Sequence, residues 1–182
     1  KRQTLAVVSF SIIALFGISV GEALPLRVHP KNPRYFMNSA GEALYVTGSA
    51  TWYILHENGH PVNERRIQTF LDWLQHWGHN YTRVWSGSFY LKNNKGPQKP
   101  WPYRRPGPYY AHDGMPRFDL TQPNKDYFNL LRTFLAEVDR RGMYCSIMLF
   151  GSFNGFRDDN KFRAYTVWHP DNNLNAETKI LK

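Results

Sequence analysis

The feature that most constrains the fold of this chain is an alternation of short apolar runs with amphipathic helical segments. Apolar runs at residues 43–47, 81–85 and 143–150 are predicted to be buried strands. Between them, apolar residues recur every three or four positions from about residue 63 to 77 and from about 125 to 141, which indicates two helices. Strands that alternate with helices form parallel βαβ units. The sequence therefore predicts an α/β fold with three parallel strands.

Signals at the helix ends support these assignments. Asn63 is predicted to cap the first helix, and Gly78 to end it. Arg140 and Arg141 precede Gly142 at the end of the second helix, where cations suit the helix dipole and glycine suits the terminating residue. Residues 25–43, rich in turn formers, are predicted to form a short hairpin ahead of the first strand.

Loop lengths differ between the two ends of the predicted strands. The turns from helix to strand are short, at residues 78–80 and at Gly142, whereas residues 86–123 after the second strand form a long segment rich in Gly, Pro and aromatic residues. This asymmetry is typical of a (β/α)8 (TIM) barrel, whose functional loops follow the C-terminal ends of the strands. Eight βα units need about 250 residues. We therefore expect residues 24–182 to be the N-terminal portion, about three βα units, of a truncated TIM barrel.

The N-terminus has the pattern of an export signal. Lys1 and Arg2 precede the apolar residues 5–20, and small residues flank Glu22 at a predicted cleavage site after Ala23. Residues 1–23 are therefore predicted to be a signal peptide, which makes the protein secreted or periplasmic, with no stable membrane association after cleavage. Retention of the segment as a membrane anchor is the alternative.

Charge and cysteine content narrow the possible functions. The formal net charge is +9, but no run of five like charges occurs, so a nucleic-acid partner is not expected. No Gly-rich phosphate-binding motif follows a predicted strand, which disfavours a nucleotide-binding sheet. The single cysteine, Cys145, excludes an intrachain disulfide, and its apolar surroundings predict a buried structural thiol.

Three segments together carry a family resemblance. Residues 48–52 (GSATW) resemble the G-x-x-x-W turn of secreted cellulase-like barrels, notably the apiosidase-like group. Residues 79–85 (HNYTRVW) resemble the N-x-x-R second strand of clan A glycoside hydrolases, which include the family 5 cellulases. Residues 118–143 are similar to their second helix and the entry to their third strand. The resemblance covers about residues 26–175.

The resemblance implies a secreted retaining glycoside hydrolase that cleaves O-glycosidic bonds in a polysaccharide or oligosaccharide. Such enzymes use two glutamates, an acid/base and a nucleophile. Both are expected beyond Lys182, so the fragment alone is expected to be inactive. Arg83 corresponds to the family's strand arginine that hydrogen-bonds the nucleophile and keeps it ionised. Because Arg83 lies in an apolar strand, we expect it to be buried and paired, and a structural salt bridge is its alternative role.

Aromatic and polar residues near the predicted strand ends are candidates for contact with a carbohydrate substrate. Flat rings cover the apolar face of a sugar, while polar groups bind its hydroxyls. Packing of the loops themselves is the alternative role for each aromatic residue. No cofactor and no metal ion is expected. The predicted substrate-binding residues are Trp52, Trp85, Ser86, Phe153, Asn154, Trp168 and His169.

Two other functions stay open. One is a non-catalytic carbohydrate-binding protein built on the same barrel. The other is a zinc hydrolase, because residues 56–60 match H-E-x-x-H, in which His56 and His60 would bind zinc from one helix face. Gly59 within the motif and Pro61 after it indicate a turn, and a turn does not hold both imidazoles on one face.

Overall fold

The structure is a computed structural model that describes residues 25–51, 54–56, 62–85, 100–149 and 166–175. The predicted signal peptide lies outside the described residues, and so do five residues of the predicted sites: Trp52, His60, Ser86, Phe153 and Asn154. Within the described ranges, no helix has the length and apolar character needed to cross a membrane.

The elements are small strands around two longer helices. In chain order they are β1 (Arg27–Val28), β2 (Phe36–Met37), β3 (Ala43–Leu44), β4 (Gly48–Ala50), α1 (Glu64–His76), β5 (Tyr81–Trp85), β6 (Tyr103–Arg104), β7 (Asp119–Pro123), α2 (Lys125–Arg140), β8 (Tyr144–Met148) and a 3₁₀ helix (Pro170–Asn172). The predicted mixed α/β class is confirmed, and so are both helices and the second strand.

Three of the strands form the central parallel sheet. β5 pairs with β4 on one side and with β8 on the other, so that Gly48 lies opposite Tyr81, and Arg83 lies opposite Ser146. The helix α1 connects β4 to β5, and α2 connects β5 to β8. The sheet therefore consists of two βαβ units, and its three strands lie side by side in the order in which they occur along the chain. The third strand is shorter than predicted, at five residues, and is half-buried along its length instead of buried on both faces.

The first parallel strand lies later in the chain than the sequence predicted. Residues 43–44 belong to β3, which pairs antiparallel with β2, so the predicted hairpin has a third strand. The side-chain amide of Asn80 binds the backbone of residues 45–47, since it accepts from Thr47 N at 3.0 Å and donates to Tyr45 O at 2.9 Å. These backbone groups therefore do not pair with β5. Parallel pairing then begins at Gly48, so the prediction of a strand at residues 43–47 was wrong.

The helix ends match the sequence signals. As predicted, Asn63 caps α1, and its side chain accepts a hydrogen bond from Arg66 N at 2.9 Å. Asn124, which was not predicted as a cap, has the same role in α2, where its side chain accepts from Asp126 N at 3.2 Å. Gly78 and Gly142 have positive φ values of 71° and 64°, which glycine adopts with little strain. These local interactions satisfy backbone groups that the helices leave unpaired at their ends.

Both helices pack on the same face of the parallel sheet. The core joins α1 and α2 to strand side chains, and its principal members are Ile67, Leu71, Leu74, Val84, Tyr127, Phe134 and Val138. Cys145 and Ile147 of β8 pack against this core. Burial raises the pKa of the Cys145 thiol to about 12, partly opposed by the nearby backbone of Val84, which agrees with a structural role.

Residues 100–123 and 166–175 form a second, smaller unit of packing. β6 and β7 pair antiparallel, and a separate apolar cluster contains Trp101, Phe118 and Val167. Tyr103, Leu120 and Trp168 pack against this cluster. Much of the segment that the sequence indicated as one long aromatic loop therefore has its own core.

Candidate functional site

The face of the parallel sheet opposite the helices carries polar and aromatic side chains. Strand residues alternate between faces, so Thr82 and Val84 point toward the helices, while Tyr81, Arg83 and Trp85 lie on the opposite face. Their register partners on β8 include Ser146, which is opposite Arg83. The Tyr81 hydroxyl lies 2.6 Å from Ser146 Oγ, and Arg83 Nε donates to the same oxygen at 3.3 Å. Three polar side chains thus meet in the middle of this face.

Arg83 differs from expectation in its burial. The side chain is exposed, and its Nε donates a hydrogen bond to the Ser146 hydroxyl. Among the residues that the structure describes, no carboxylate forms an ion pair with Arg83. The expectation that Arg83 is buried was therefore wrong, because the alternation of β5 places residue 83 away from the helices. Its pairing with a carboxylate beyond Lys182 stays a prediction. The structural salt bridge considered for it is not formed within this part of the chain.

The two predicted substrate-binding tryptophans that the structure describes lie in different parts of the fold. Trp85 is half-buried and ends β5. Trp168 is half-buried against the second apolar cluster, where its ring meets Tyr103 edge-to-face with centroids 5.6 Å apart. Tyr109 and Tyr110 are the most exposed aromatic residues of the same region, at 64% and 72%.

An open cavity of about 570 Å³ lies beside the second cluster, a size within the range of small-molecule sites. The last residue of α2, Arg140, is only four positions before Tyr144, where β8 begins, so the C-terminal end of α2 lies near the N-terminal ends of the strands. The first turn of α2 therefore lies toward the C-terminal ends of the parallel strands. The cavity borders this first turn and hence the C-terminal side of the sheet. Its lining includes Trp101, Tyr103, Arg104, Arg105, Asn124 and Asp126.

Arg105 in the cavity wall has a structural role. Its guanidinium makes two hydrogen bonds of 2.7 Å to Asp113, and its Nε donates to Pro116 O at 2.6 Å. The same group lies 4.1 Å from the centroid of the Phe118 ring. The neighbouring Arg104 is exposed. Sequence reasoning did not select either arginine, because an isolated Arg pair in a Pro-rich loop gives no signal of its surroundings.

His169, the other predicted substrate-binding residue in the described ranges, lies beside a second histidine. The rings of His112 and His169 meet with centroids 5.1 Å apart. Asp171 Oδ2 lies 3.3 Å from His112 Nε2 and 3.8 Å from His169 Nδ1. Desolvation lowers the pKa of His169, the charge of Asp171 opposes that shift, and His112 adds to it. Within the described ranges, these three residues are the group whose donor atoms are close enough to hold a metal ion.

His56, the first histidine of the H-E-x-x-H match, lies in the core. It is 1% exposed and its ring stacks on Tyr127 at a centroid distance of 6.0 Å. Burial lowers its pKa to about 4, and the nearby backbone of Trp85 and Pro100 only partly opposes this. Residues 54–56 form a turn instead of a helix. His56 therefore has the surroundings of a packed core ring, while His60 lies outside the described residues.

Comparison with known proteins finds no match for this chain among protein-family models, curated proteins or solved structures. The described residues themselves establish a mixed α/β fold with three neighbouring parallel strands. They also show a sheet face that carries an exposed arginine, and an open cavity whose lining includes Trp101 and Tyr103. Function is argued from these features.

Proposed function

We propose that this chain forms the first βα units of a (β/α)8 barrel glycoside hydrolase, which cleaves O-glycosidic bonds of a polysaccharide or oligosaccharide with retention of configuration. The strand order supports the barrel. In a barrel each strand pairs with the next along the chain and every helix lies on the outer face. A doubly wound sheet instead reverses its order and places helices on both faces. Here the parallel strands β4, β5 and β8 lie side by side in the order of the chain, with the separate β6–β7 pair inserted between β5 and α2. The helices α1 and α2 share one face and contact each other.

The observation that carries the proposal is the position of Arg83. In a barrel, the face opposite the helices is the interior, so Arg83 would be an interior cation in the middle of its strand. Its hydrogen bond to the Ser146 hydroxyl leaves the positive charge without a carboxylate among the described residues. A guanidinium at such a position suits a carboxylate partner and would keep it ionised. We assign that partner to the nucleophile of the retaining reaction, which also resembles the role of the family's strand arginine.

The cavity beside Trp101 and Tyr103, which joins two aromatic rings with polar side chains, supports a carbohydrate as the substrate. It lies on the C-terminal side of the sheet, where barrel enzymes bind their substrates. The Tyr103 ring lines it, and Trp168 packs against that ring. Gln122 and Asn124, also in the lining, offer amide groups to sugar hydroxyls. Contacts from Trp52, Ser86, Phe153 and Asn154 remain predictions for residues outside the described ranges.

A non-catalytic carbohydrate-binding protein is the second candidate. The cavity and its aromatic lining favour it equally, because binding needs these surfaces and no pair of glutamates. The zinc hydrolase is the weakest alternative. The His56 ring is buried in the core, where it would have to leave its packing against Tyr127 to bind an ion.

The test is an assay of the product of the full open reading frame on a panel of neutral oligosaccharides, with products separated by chromatography and their anomeric form read by NMR. We expect hydrolysis with retained configuration. Arg83→Met should lower kcat/KM by about 100-fold, the usual cost of removing an electrostatic partner at the reacting centre. Arg65→Met, an exposed arginine on α1, is the matched control and should keep full activity.

The outcomes separate the candidates. Saturable oligosaccharide binding without cleavage would replace the hydrolase by the binding protein. Cleavage that survives Arg83→Met unchanged would remove the role assigned to Arg83. Absence of both binding and cleavage over the panel would overturn the carbohydrate proposal itself.

A further inference from the structure

Three potential metal ligands converge from two segments that are far apart in sequence. His112 lies in the turn that follows Ala111, while His169 caps the 3₁₀ helix and Asp171 lies within it. The Asp171 carboxylate faces both rings, with Oδ2 at 3.3 Å from His112 Nε2 and 3.8 Å from His169 Nδ1. One donor atom from each residue lies within 4.8 Å of the other two.

Buried amides hold the two segments together, independently of the three ligands' own contacts. The backbone N–H of His112 donates to Asn172 Oδ1 at 2.9 Å, and Asn172 Nδ2 donates to Thr166 O at 2.8 Å. Asn173 Nδ2 donates to His169 O at 2.9 Å. Asn172 and Asn173 are fully buried. The backbones that carry the three side chains are therefore fixed in place by a network that a mutation of the ligands would leave intact.

We propose that His112, His169 and Asp171 form a binding site for a divalent transition-metal ion, with Zn²⁺ as the best fit. Two imidazoles and one carboxylate are a common ligand set for zinc, in which water takes the fourth tetrahedral position. Zinc–ligand bonds of about 2.0–2.1 Å place neighbouring donors roughly 3.4 Å apart. Small side-chain rotations from the distances seen here reach that geometry.

The orientation of His169 suits this role. Its Nδ1 accepts a hydrogen bond from Asp171 N at 3.2 Å, so this nitrogen carries a lone pair on the side of the carboxylate. Coordination would replace that long hydrogen bond with a metal bond. All three side chains are at least partly exposed, so an ion and its water ligands can reach them.

A bound ion would cross-link the segment 166–175 to the turn at residues 111–115, because its ligands come from both. Trp168 precedes the ligand His169 and packs against Tyr103, so the ion would also fix one wall of the aromatic cluster. Metal binding at this site does not depend on glycosidase activity, so this proposal is independent of the proposed function. The sequence predicted no metal ion, because the residues of the set lie in separate segments.

The experiment is a calorimetric titration of the tag-free, chelator-treated chain with zinc chloride, together with Co²⁺ absorption spectra and thermal melts. We expect one ion per chain, a tetrahedral Co²⁺ spectrum and a rise in Tm with added zinc. His112→Ala and Asp171→Asn should each weaken zinc binding by about tenfold or more. The matched control is His76→Ala, an exposed histidine at the end of α1, which should bind zinc as the wild type does.

His112→Ala is the deciding variant because its side chain is exposed and the buried amide network holds only its backbone N–H, so the metal-free chain should stay folded. Unchanged zinc affinity in His112→Ala would overturn the site, and so would the absence of any heat or Tm change with excess zinc. A loss of affinity in His76→Ala equal to that in His112→Ala would show only non-specific binding to surface histidines, which also overturns it.

Discussion

Arg105 holds Asp113 through two parallel hydrogen bonds of 2.7 Å, one from each terminal nitrogen of the guanidinium. Both side chains are largely buried, at 9% and 14% exposure. Asp113→Ala removes the carboxylate that offsets the desolvation of this cation, so we expect it to lower the free energy of unfolding by about 3 kcal/mol. Urea denaturation measures the loss. Asp126→Ala, an exposed carboxylate on α2, should cost far less, and equal losses would contradict the role of the ion pair.

Gly48 allows β4 to approach β5 closely. A Cβ at this position would lie 1.7 Å from the carbonyl oxygen of Tyr81, so Gly48→Ala must displace the strand pairing. We expect a loss of about 3 kcal/mol in the free energy of unfolding. The control is Gly41→Ala, where a Cβ meets nothing and only the positive φ of 80° causes strain, about 1 kcal/mol. Similar losses in both variants, measured by urea denaturation, would argue against the close approach.

Glu137 should give the protein acid-sensitive stability. Hydrogen bonds from Arg140 and then Arg141 lower the pKa of its carboxyl from 4.5 to about 2. The unfolded chain takes up this proton first, so the stabilisation is complete above about pH 4.5 and is lost as the pH falls toward 2. Arg141 also forms an ion pair with Asp72 of α1 at 2.6 Å, so protonation of Glu137 should weaken the contact between α1 and α2. Glu137→Gln should have a flatter stability curve over this range, and parallel curves would refute the assignment.

His56 should add a second pH dependence at higher pH. Burial lowers the pKa of His56 from 6.5 to about 4, so between these pH values the imidazole is protonated in the unfolded chain and neutral in the folded chain. Stability should therefore decrease as the pH falls from about 6.5 to about 4. His56→Phe keeps a ring against Tyr127 and removes the titration. Comparison of urea midpoints at neutral and mildly acidic pH should show a drop for the wild type that the variant lacks. The same drop in both would show that His56 is not its source.

Trp168 should contribute to sugar binding if the proposed function is correct. Loss of its ring would remove the support of Tyr103 in the cavity wall, so Trp168→Ala should weaken oligosaccharide binding about tenfold. Trp73→Ala, a 48% exposed tryptophan on α1, is the control and should bind normally. Fluorescence titration measures both, with thermal melts to confirm folding. Equal affinity of the two variants would exclude Trp168 from the site.

The candidate site was predicted less completely than the elements that support it. The strand position of Arg83 followed from the sequence, but its exposure did not, because burial depends on which face of the sheet the helices cover. The sequence also singled out His169, for sugar binding, without its neighbours His112 and Asp171. The network of Asn172 and Asn173 that brings these side chains together consists of polar contacts across the chain, for which no periodic pattern exists.

The sequence by itself determined the two helices, the cap of the first at Asn63, the glycines that end them, and the extent of β5. These features depend on hydrogen bonds and side-chain spacing within about one helical turn or one strand, so local residues are sufficient. Only the tertiary structure decided that Asn80 delays the first parallel strand to Gly48, that both helices share one face, and that His112 meets His169. Each of these depends on contacts between distant segments, whose positions are set by how the whole chain packs.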